Sequence, residues 1–449
     1  MYKYAISILG TGFIGLCSAA AFASKDIKVI ASTHDQRKAD MINEGKAPFF
    51  EANLQEMMET IKKENPELLK CLTNPVKAVL ETDISMITQG TPMREDKSID
   101  LSFIESTARE IGEALKKKNI YHLVVVRSTV VPGTTRDLVG KLINEVSGKE
   151  SGNDFGLCMQ PEFLAEGRSI EDTLNPDRIV IGEFDEKSGA MLQEFYEYFY
   201  GDHLKNCPVL RMNLESAELV KYGNNCLLST KISYANEFAN FAQLVPNVDV
   251  SQVMKGVGLD YRINPRFLKA GAGFGGSCFH KDVNAIMAWA KSKGYNSRLL
   301  KAVLDINDEQ AIRIVDIAEE LAGKLAGKKV TLLGLSFKPG TDDMREASSI
   351  RVINELRNRN VTNIIGYDPK AKETAKEVLG DKIQYADSIQ QALKESECAI
   401  LVTEWDEFTQ LIPDDFKNYM KVPNLVDGRR IFDFEEFNKS IPFRAIGRI

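Results

Sequence analysis

The chain has no paired-cysteine spacing, no run of basic residues and no apolar stretch near the ~20 residues of a membrane span. Its seven cysteines stand at 17, 71, 158, 207, 226, 278 and 398, with no CxxC among them. An odd, scattered set argues against a disulfide framework and for a reducing compartment. Four dispersed histidines give no metal-ligand spacing, so no metal is expected. A net charge of −7 without clustered Lys and Arg argues against a nucleic-acid surface. No signal peptide precedes the first strand, and the expectation is a soluble cytoplasmic protein. The 449 residues suffice for several domains and a large core.

What is present begins with Tyr4-Ala5-Ile6-Ser7-Ile8-Leu9, an apolar run that reads as a buried strand. Gly10-Thr11-Gly12-Phe13-Ile14-Gly15 follows, and residues 16–23 continue as a small-residue helix. Strand, GxGxxG and helix together form the dinucleotide fingerprint in its proper context. Gly10 makes the tight turn, Gly12 admits the pyrophosphate to the helix N-terminus, and Gly15 lets the helix lie on the strand. The second strand, 27–32, should end in an acid that binds the ribose 2′-hydroxyl. Thr33 stands there instead, with Asp35, Arg37 and Lys38 close behind. NAD is the expected cofactor, and the missing acid leaves NADP open.

Strands at 84–88 and 123–126, with a helix over 103–118 between them, imply a parallel sheet covered on both faces. Thr91, Ser128 and Thr129 fall at strand ends, where such sheets bind ligands. In Met159-Gln160-Pro161-Glu162-Phe163-Leu164-Ala165-Glu166-Gly167, a helical turn after Pro161 would point Glu162 and Glu166 the same way. Paired carboxylates can divide general-base and hydrogen-bonding work, and a solvated helix face is the plainer alternative.

Residues 214–244 lack proline and read as one long helix that joins domains or builds a dimer seam. Lys221 and Asn225 are four apart on it and could hold an oxyanion, or be a snorkelling lysine beside a satisfied amide. Gly271-Ala272-Gly273-Phe274-Gly275-Gly276-Ser277-Cys278-Phe279-His280-Lys281-Asp282 reads as a flexible glycine loop feeding a helix capped by Ser277. Cys278 would lie in the first turn, where the helix dipole favours a thiolate, and Asp282 would share its face. The alternative is a structural cysteine.

A hinge at 322–328 leads to a second alternation of strands at 329–335, 364–369, 398–403 and 424–429. A helix capped by Ser348 or Ser349 lies between the first two. This echoes the first domain without a complete GxGxxG. Lys338, Arg345 and Arg429 fall at strand-end loops, suited to phosphates or simply solvated. The fold class is thus α/β: two doubly wound, Rossmann-like parallel-sheet domains joined by a central helical region with a long helix. The divisions are expected at 1–205, 206–320 and 321–449.

GTGFIG, RSTVVPGTT, QPEFLAEG, LVKYGNNCLL, GFGGSCFHKD, GLSFKPGTDDMRE and VDGRR occur in that order. On these motifs the chain resembles the UDP-glucose/GDP-mannose dehydrogenase family from Ile6 to about Arg430. Thr33 departs from the family pattern, as does His280, where the family usually carries proline. The resemblance implies oxidation of a nucleotide sugar's C6 alcohol to a carboxylate with two NAD reduced, in a homodimer built on the central helix. It implies that Cys278 forms a thiohemiacetal and then a thioester, and that Lys221 and Asn225 hold the oxyanion. Thr129 and Asp282 would hold a proton-accepting water, and Glu162 would activate the hydrolytic water. The same resemblance places Gly10, Gly12, Phe13, Ile14, Gly15, Thr33, Lys38, Thr91, Thr129, Glu166, Cys278 and Arg345 at the cofactor. It places Glu162, Phe163, Leu164, Lys221, Asn225, Phe267, Lys269, Gly275, Phe337, Lys338 and Arg429 at the sugar nucleotide, with Arg262 reaching from a partner subunit. UDP-glucose is the expected substrate, from Asn175-Pro176-Asp177-Arg178 and Ser277-Cys278-Phe279. GDP-mannose and UDP-N-acetylhexosamines are the alternatives, and a silent nucleotide-sugar binding protein is another. A two-electron hydroxyacid dehydrogenase would need no cysteine. No nucleic acid and no membrane is expected as a partner.

Overall fold

The computed structural model describes residues 3–448. The chain divides into two compact units, one ending at Asn224 and one beginning at Asn225.

The first unit holds strands β1 (Ala5–Leu9), β2 (Lys28–Ser32), β3 (Leu69–Leu72), β4 (Ile84–Ile87), β5 (Leu123–Val126), β6 (Gly156–Met159), β7 (Ile179–Glu183) and β8 (Val209–Asn213). Their order is β3-β2-β1-β4-β5-β6-β7-β8. The strands from β3 to β6 are parallel, with β4, β5 and β6 buried along their whole length. That burial explains their continuous apolar runs, since helices cover both faces of such a sheet. β1 and β4 are neighbours although far apart in sequence, so the crossover direction reverses between them. Ligands bind outside the carboxyl ends of strands at such a reversal.

The sheet is not parallel throughout. β7 runs antiparallel to β6, and β8 follows β7. The sequence reading does not anticipate β3, β6, β7 or β8. β8 is half-exposed along its length, so it lacks the apolar signature of an inner strand.

The second unit holds β9 (Lys329–Leu333), β10 (Asn363–Tyr367), β11 (Gln384–Tyr385), β12 (Cys398–Leu401), β13 (Leu425–Asp427) and β14 (Phe443–Ala445). They form a parallel sheet in the order β11-β10-β9-β12-β13-β14. The turn after β9 is filled by the chain's own carboxylate. Asp368 Oδ2 accepts from Leu335 N at 2.8 Å, Ser336 N at 2.9 Å and Trp405 Nε1 at 3.0 Å. An acid already stands where a dinucleotide turn would receive a pyrophosphate. The following helix, Ser348–Asn358, has Ala347 at its N-cap, not a serine. Ser348 Oγ donates instead to Gly273 O and Ser349 Oγ to Leu335 O.

The long helix spans Leu214–Ala242, 29 residues or about 44 Å, and its first turns belong to the first unit. Among the described residues no helix is long and apolar enough to cross a membrane.

Candidate active site

The dinucleotide turn follows β1. Gly10 has φ +117°, and a Cβ at Gly15 would fall 2.0 Å from Gly10 O and 2.6 Å from Thr88 Oγ1. The fingerprint helix, Phe13–Ala23, is therefore seated on the strand as only glycine allows. Gly12, its N-cap, supplies no side chain to the first N–H groups, and a Cβ there would meet nothing within 4 Å. The open helix end faces a cavity of about 320 Å³ whose lining includes Gly10, Gly12, Thr33, Lys38 and Thr88. Free donors, a bare helix end and room for a ligand fit a dinucleotide pyrophosphate. Phe13 and Ile14 are half-buried beside it, Phe13 against Phe49. The loops after β4 and β5 are tied together: Thr91 Oγ1 donates to Thr129 O at 3.0 Å, and Ser128 Oγ to Gln89 O at 2.7 Å.

Residues 160–165 form no helix, so Glu162 and Glu166 do not share a helical face. Pro161 leads into irregular backbone, and the two carboxylates part company. Glu162 Oε1 meets Lys221 Nζ at 2.8 Å, both side chains almost fully buried, and Glu162 Oε2 accepts from Leu164 N at 2.7 Å. Burial alone would raise the Glu162 pKa, but the charge and hydrogen bond of Lys221, the Leu164 N–H and Arg127 outweigh it and hold the carboxyl below its ordinary value. Glu166 is half-buried at the turn that follows. Phe163 carries the Arg178 guanidinium over its ring at 3.7 Å, and Arg178 Nη2 donates to Asn224 Oδ1 at 2.9 Å. That stacked arginine was not among the candidates, because only the fold brings residue 178 to residue 163.

In the second unit the glycine loop is buried and clamped, not flexible. Gly271 N donates to Asn236 Oδ1 at 2.8 Å, and Phe274 N to Asn307 Oδ1 at 2.7 Å. Asn307 Nδ2 returns a bond to Phe274 O at 3.2 Å, which also accepts from Arg351 Nη2 at 2.7 Å. Phe337 packs directly on the next glycines; a Cβ at Gly275 would fall 3.1 Å from its Cβ, and one at Gly276 would fall 2.8 Å from its ring. Side chains from other elements partner Gly271 N, Gly273 O and both backbone groups of Phe274, since glycines bring no side-chain partners of their own. Cys278, not Ser277, is the N-cap of the helix Phe279–Ser292. It is the one fully exposed cysteine; Cys207 is half-buried and the other five are buried. Asp282, one turn on, is buried and accepts from Asn225 Nδ2 at 2.7 Å and Lys281 Nζ at 2.5 Å. Asn236, Asn307, Arg351 and Lys281 were not foreseen. The signal for Asn307 was an amide interrupting the apolar face of the helix Arg298–Ala322.

Arg429 Nη1 donates to Gly273 O at 3.3 Å, so this candidate touches the cysteine loop. Lys338 Nζ lies 5.5 Å from the Phe337 ring centre. Lys269 and Phe267 are exposed, and Phe267 meets Phe279 edge to face. Arg262 and Arg345 each grip an acid two residues away, Asp260 and Asp343. No three metal-ligating side chains gather among the described residues.

Two outcomes follow from this geometry. Asn307→Ala strips both Phe274 groups of a partner and should cost about 1–3 kcal/mol in urea unfolding. A midpoint unchanged from wild type would show that the clamp is dispensable. Glu162→Gln should lower the melting temperature at neutral pH, since breaking a buried pair costs about 3–5 kcal/mol. The folded carboxyl binds protons less readily than the unfolded one, so the pair's contribution is present above about pH 4.3 and fades as pH falls further. Melting curves from pH 7 to pH 3 should therefore converge for the two proteins at the acid end.

Three family models of the UDP-glucose/GDP-mannose dehydrogenase family match in order: the NAD binding domain at 4–200, the central domain at 215–309 and the UDP binding domain at 331–434. The chain is 41% identical to UDP-glucose 6-dehydrogenase AglM of Haloferax volcanii, over 95% of this chain and 96% of that one. It is 37% identical to UDP-glucose 6-dehydrogenase TuaD of Bacillus subtilis, over 99% and 93%. A UDP-glucose dehydrogenase structure from Pyrobaculum islandicum superposes with a TM-score of 0.90 at 35% identity, covering 100% of this chain and 98% of that one. With all three models matched in order and relatives above 30% identity over nearly the whole chain, the chain belongs to the UDP-glucose/GDP-mannose dehydrogenase family of NAD-dependent oxidoreductases.

Proposed function

We propose that the protein oxidises the C6 alcohol of UDP-glucose to the carboxylate through a sugar bound covalently to Cys278. The observation that carries this reading is the exposed Cys278 thiol at a helix N-terminus, beside a buried and doubly held Asp282. Bound NAD supplies the oxidising power, taking one hydride in each of two rounds. Asp282, and with it Thr129, is assigned to the water that takes the hydroxyl proton in the first round. Lys221 and Asn225, one turn apart on the long helix, stabilise the oxygen as it gains negative charge. The Cys278 sulfur then adds to the aldehyde carbon, forming a C–S bond and a thiohemiacetal. Loss of a second hydride and a proton leaves a thioester. A water deprotonated by Glu162 attacks its carbonyl, the C–S bond breaks, and the carboxylate and free thiol are released.

We further assign 1–205 to the dinucleotide, 206–320 to a helical dimerisation region and 321–449 to the UDP-sugar. Phe163, Leu164, Phe267, Lys269, Gly275, Phe337, Lys338 and Arg429 are assigned to the sugar nucleotide, and Glu166 and Arg345 to the cofactor. The assigned dimer seam rests on the long helix, where Leu219, Leu227, Tyr234 and Phe241 are exposed at near-heptad spacing.

With UDP-glucose the wild type should form two NADH per sugar consumed. Cys278→Ser should abolish glucuronate formation while leaving UDP-glucose binding measurable by calorimetry. Normal acid production by that variant would refute the covalent route. Leu227→Glu should shift the sedimentation coefficient from dimer to monomer, and a monomeric wild type would remove the seam.

A further inference from the structure

The ribose end of the dinucleotide cavity carries an unusual charge pattern. An acid at the end of the second strand of such a sheet accepts from the ribose 2′-hydroxyl and repels a 2′-phosphate. Here Thr33 occupies the position at the end of β2 and lines the cavity. Its N–H donates to Leu72 O at 3.1 Å and its Oγ1 accepts from Asp35 N at 3.3 Å, which leaves the hydroxyl hydrogen to donate elsewhere.

The two carboxylates that line the cavity are turned to partners within the protein. Asp35 caps the helix Gln36–Asn43, accepting from Lys38 N at 3.2 Å. Glu110 Oε1 faces His34 Nε2 at 3.5 Å. Lys38 also lines the cavity, and its ammonium makes no ion pair with the described residues. Arg37, its neighbour, is exposed on the same short helix. The wall therefore offers a hydroxyl donor and an unengaged cation, where the usual arrangement offers a carboxylate. A phosphate monoester carries up to two negative charges and accepts strong charge-assisted hydrogen bonds from such groups.

We propose that this cavity takes 2′-phosphorylated dinucleotides as well as NAD, with Thr33 and Lys38 holding the 2′-phosphate, so that the protein uses NADP.

The test separates binding from turnover by using the adenosine halves alone. Calorimetry with 2′,5′-ADP and with 5′-AMP, which differ only by the 2′-phosphate, should give the wild type an affinity for the first at least equal to that for the second. Lys38→Ala and Thr33→Asp should each lower the ratio of the two affinities about tenfold or more. Lys38 is exposed, so its substitution does not put folding at stake. The ratio of NADPH to NADH affinity, read by fluorescence titration of the full chain, should fall in parallel. A wild type that binds 2′,5′-ADP more weakly than 5′-AMP overturns the proposal, as does a ratio that survives either substitution.

Discussion

Of the carboxylate side chains buried in this protein, the long helix supplies donors to two, Glu162 and Asp282. Lys221 reaches Glu162 and, one turn later, Asn225 reaches Asp282. Withdrawing a carboxylate from solvent is costly unless a donor replaces the lost hydration. Within the first unit Lys221 holds the 160–165 segment, and within the second Asn225 holds the start of the cysteine helix. A proline in that turn would break the backbone that carries both donors, whereas Gly223 already stands in it. Residues 214–242 contain no proline, which is the sequence-level expression of this demand.

Rigidity elsewhere follows the same logic of supplied partners. The glycine loop before Cys278 needs glycine because Phe337 and the backbone at Glu346 press against it. Having no side chains, it cannot order itself, and Asn236, Asn307, Ser348 and Arg351 do so from three other helices. A reactive thiol gains from this arrangement, since a reacting atom held in place has less freedom to lose. The first unit uses the device at Glu218 on the long helix, whose two oxygens accept from Gly133 N at 2.6 Å and Thr135 N at 2.7 Å. That contact anchors the loop that follows Thr129.

The two sheets show how one architecture is opened or closed to a ligand. After β1, Gly12 leaves the helix N-terminus bare over a cavity. After β9, Asp368 takes the corresponding N–H groups itself. The second turn lacks the complete glycine fingerprint and adds a carboxylate at the end of the neighbouring strand. The same position at the end of β2 holds Thr33, and there the consequence is electrostatic, since a hydroxyl neither repels nor neutralises a phosphate.

The sequence by itself determined the strands flanking both glycine turns, the extent of the long helix within two residues and the placing of Cys278 at the start of a helix. Each is written locally: apolar runs mark buried strands, Gly10 and Gly15 occupy positions that a Cβ would overfill, and helix propensity accumulates over nearly thirty residues. Only the tertiary structure decided which polar groups meet. Glu162 pairs with Lys221 rather than acting with Glu166, because Pro161 directs an irregular segment that no periodicity reveals. Arg178 stacks on Phe163, and Asn307 holds a loop more than thirty residues away. The reversed strands β7 and β8 belong to the same class, since strand direction is fixed by where the chain crosses over. Pairings across such separations are set by packing and by the need to satisfy every buried donor and acceptor, and that accounting closes only in three dimensions.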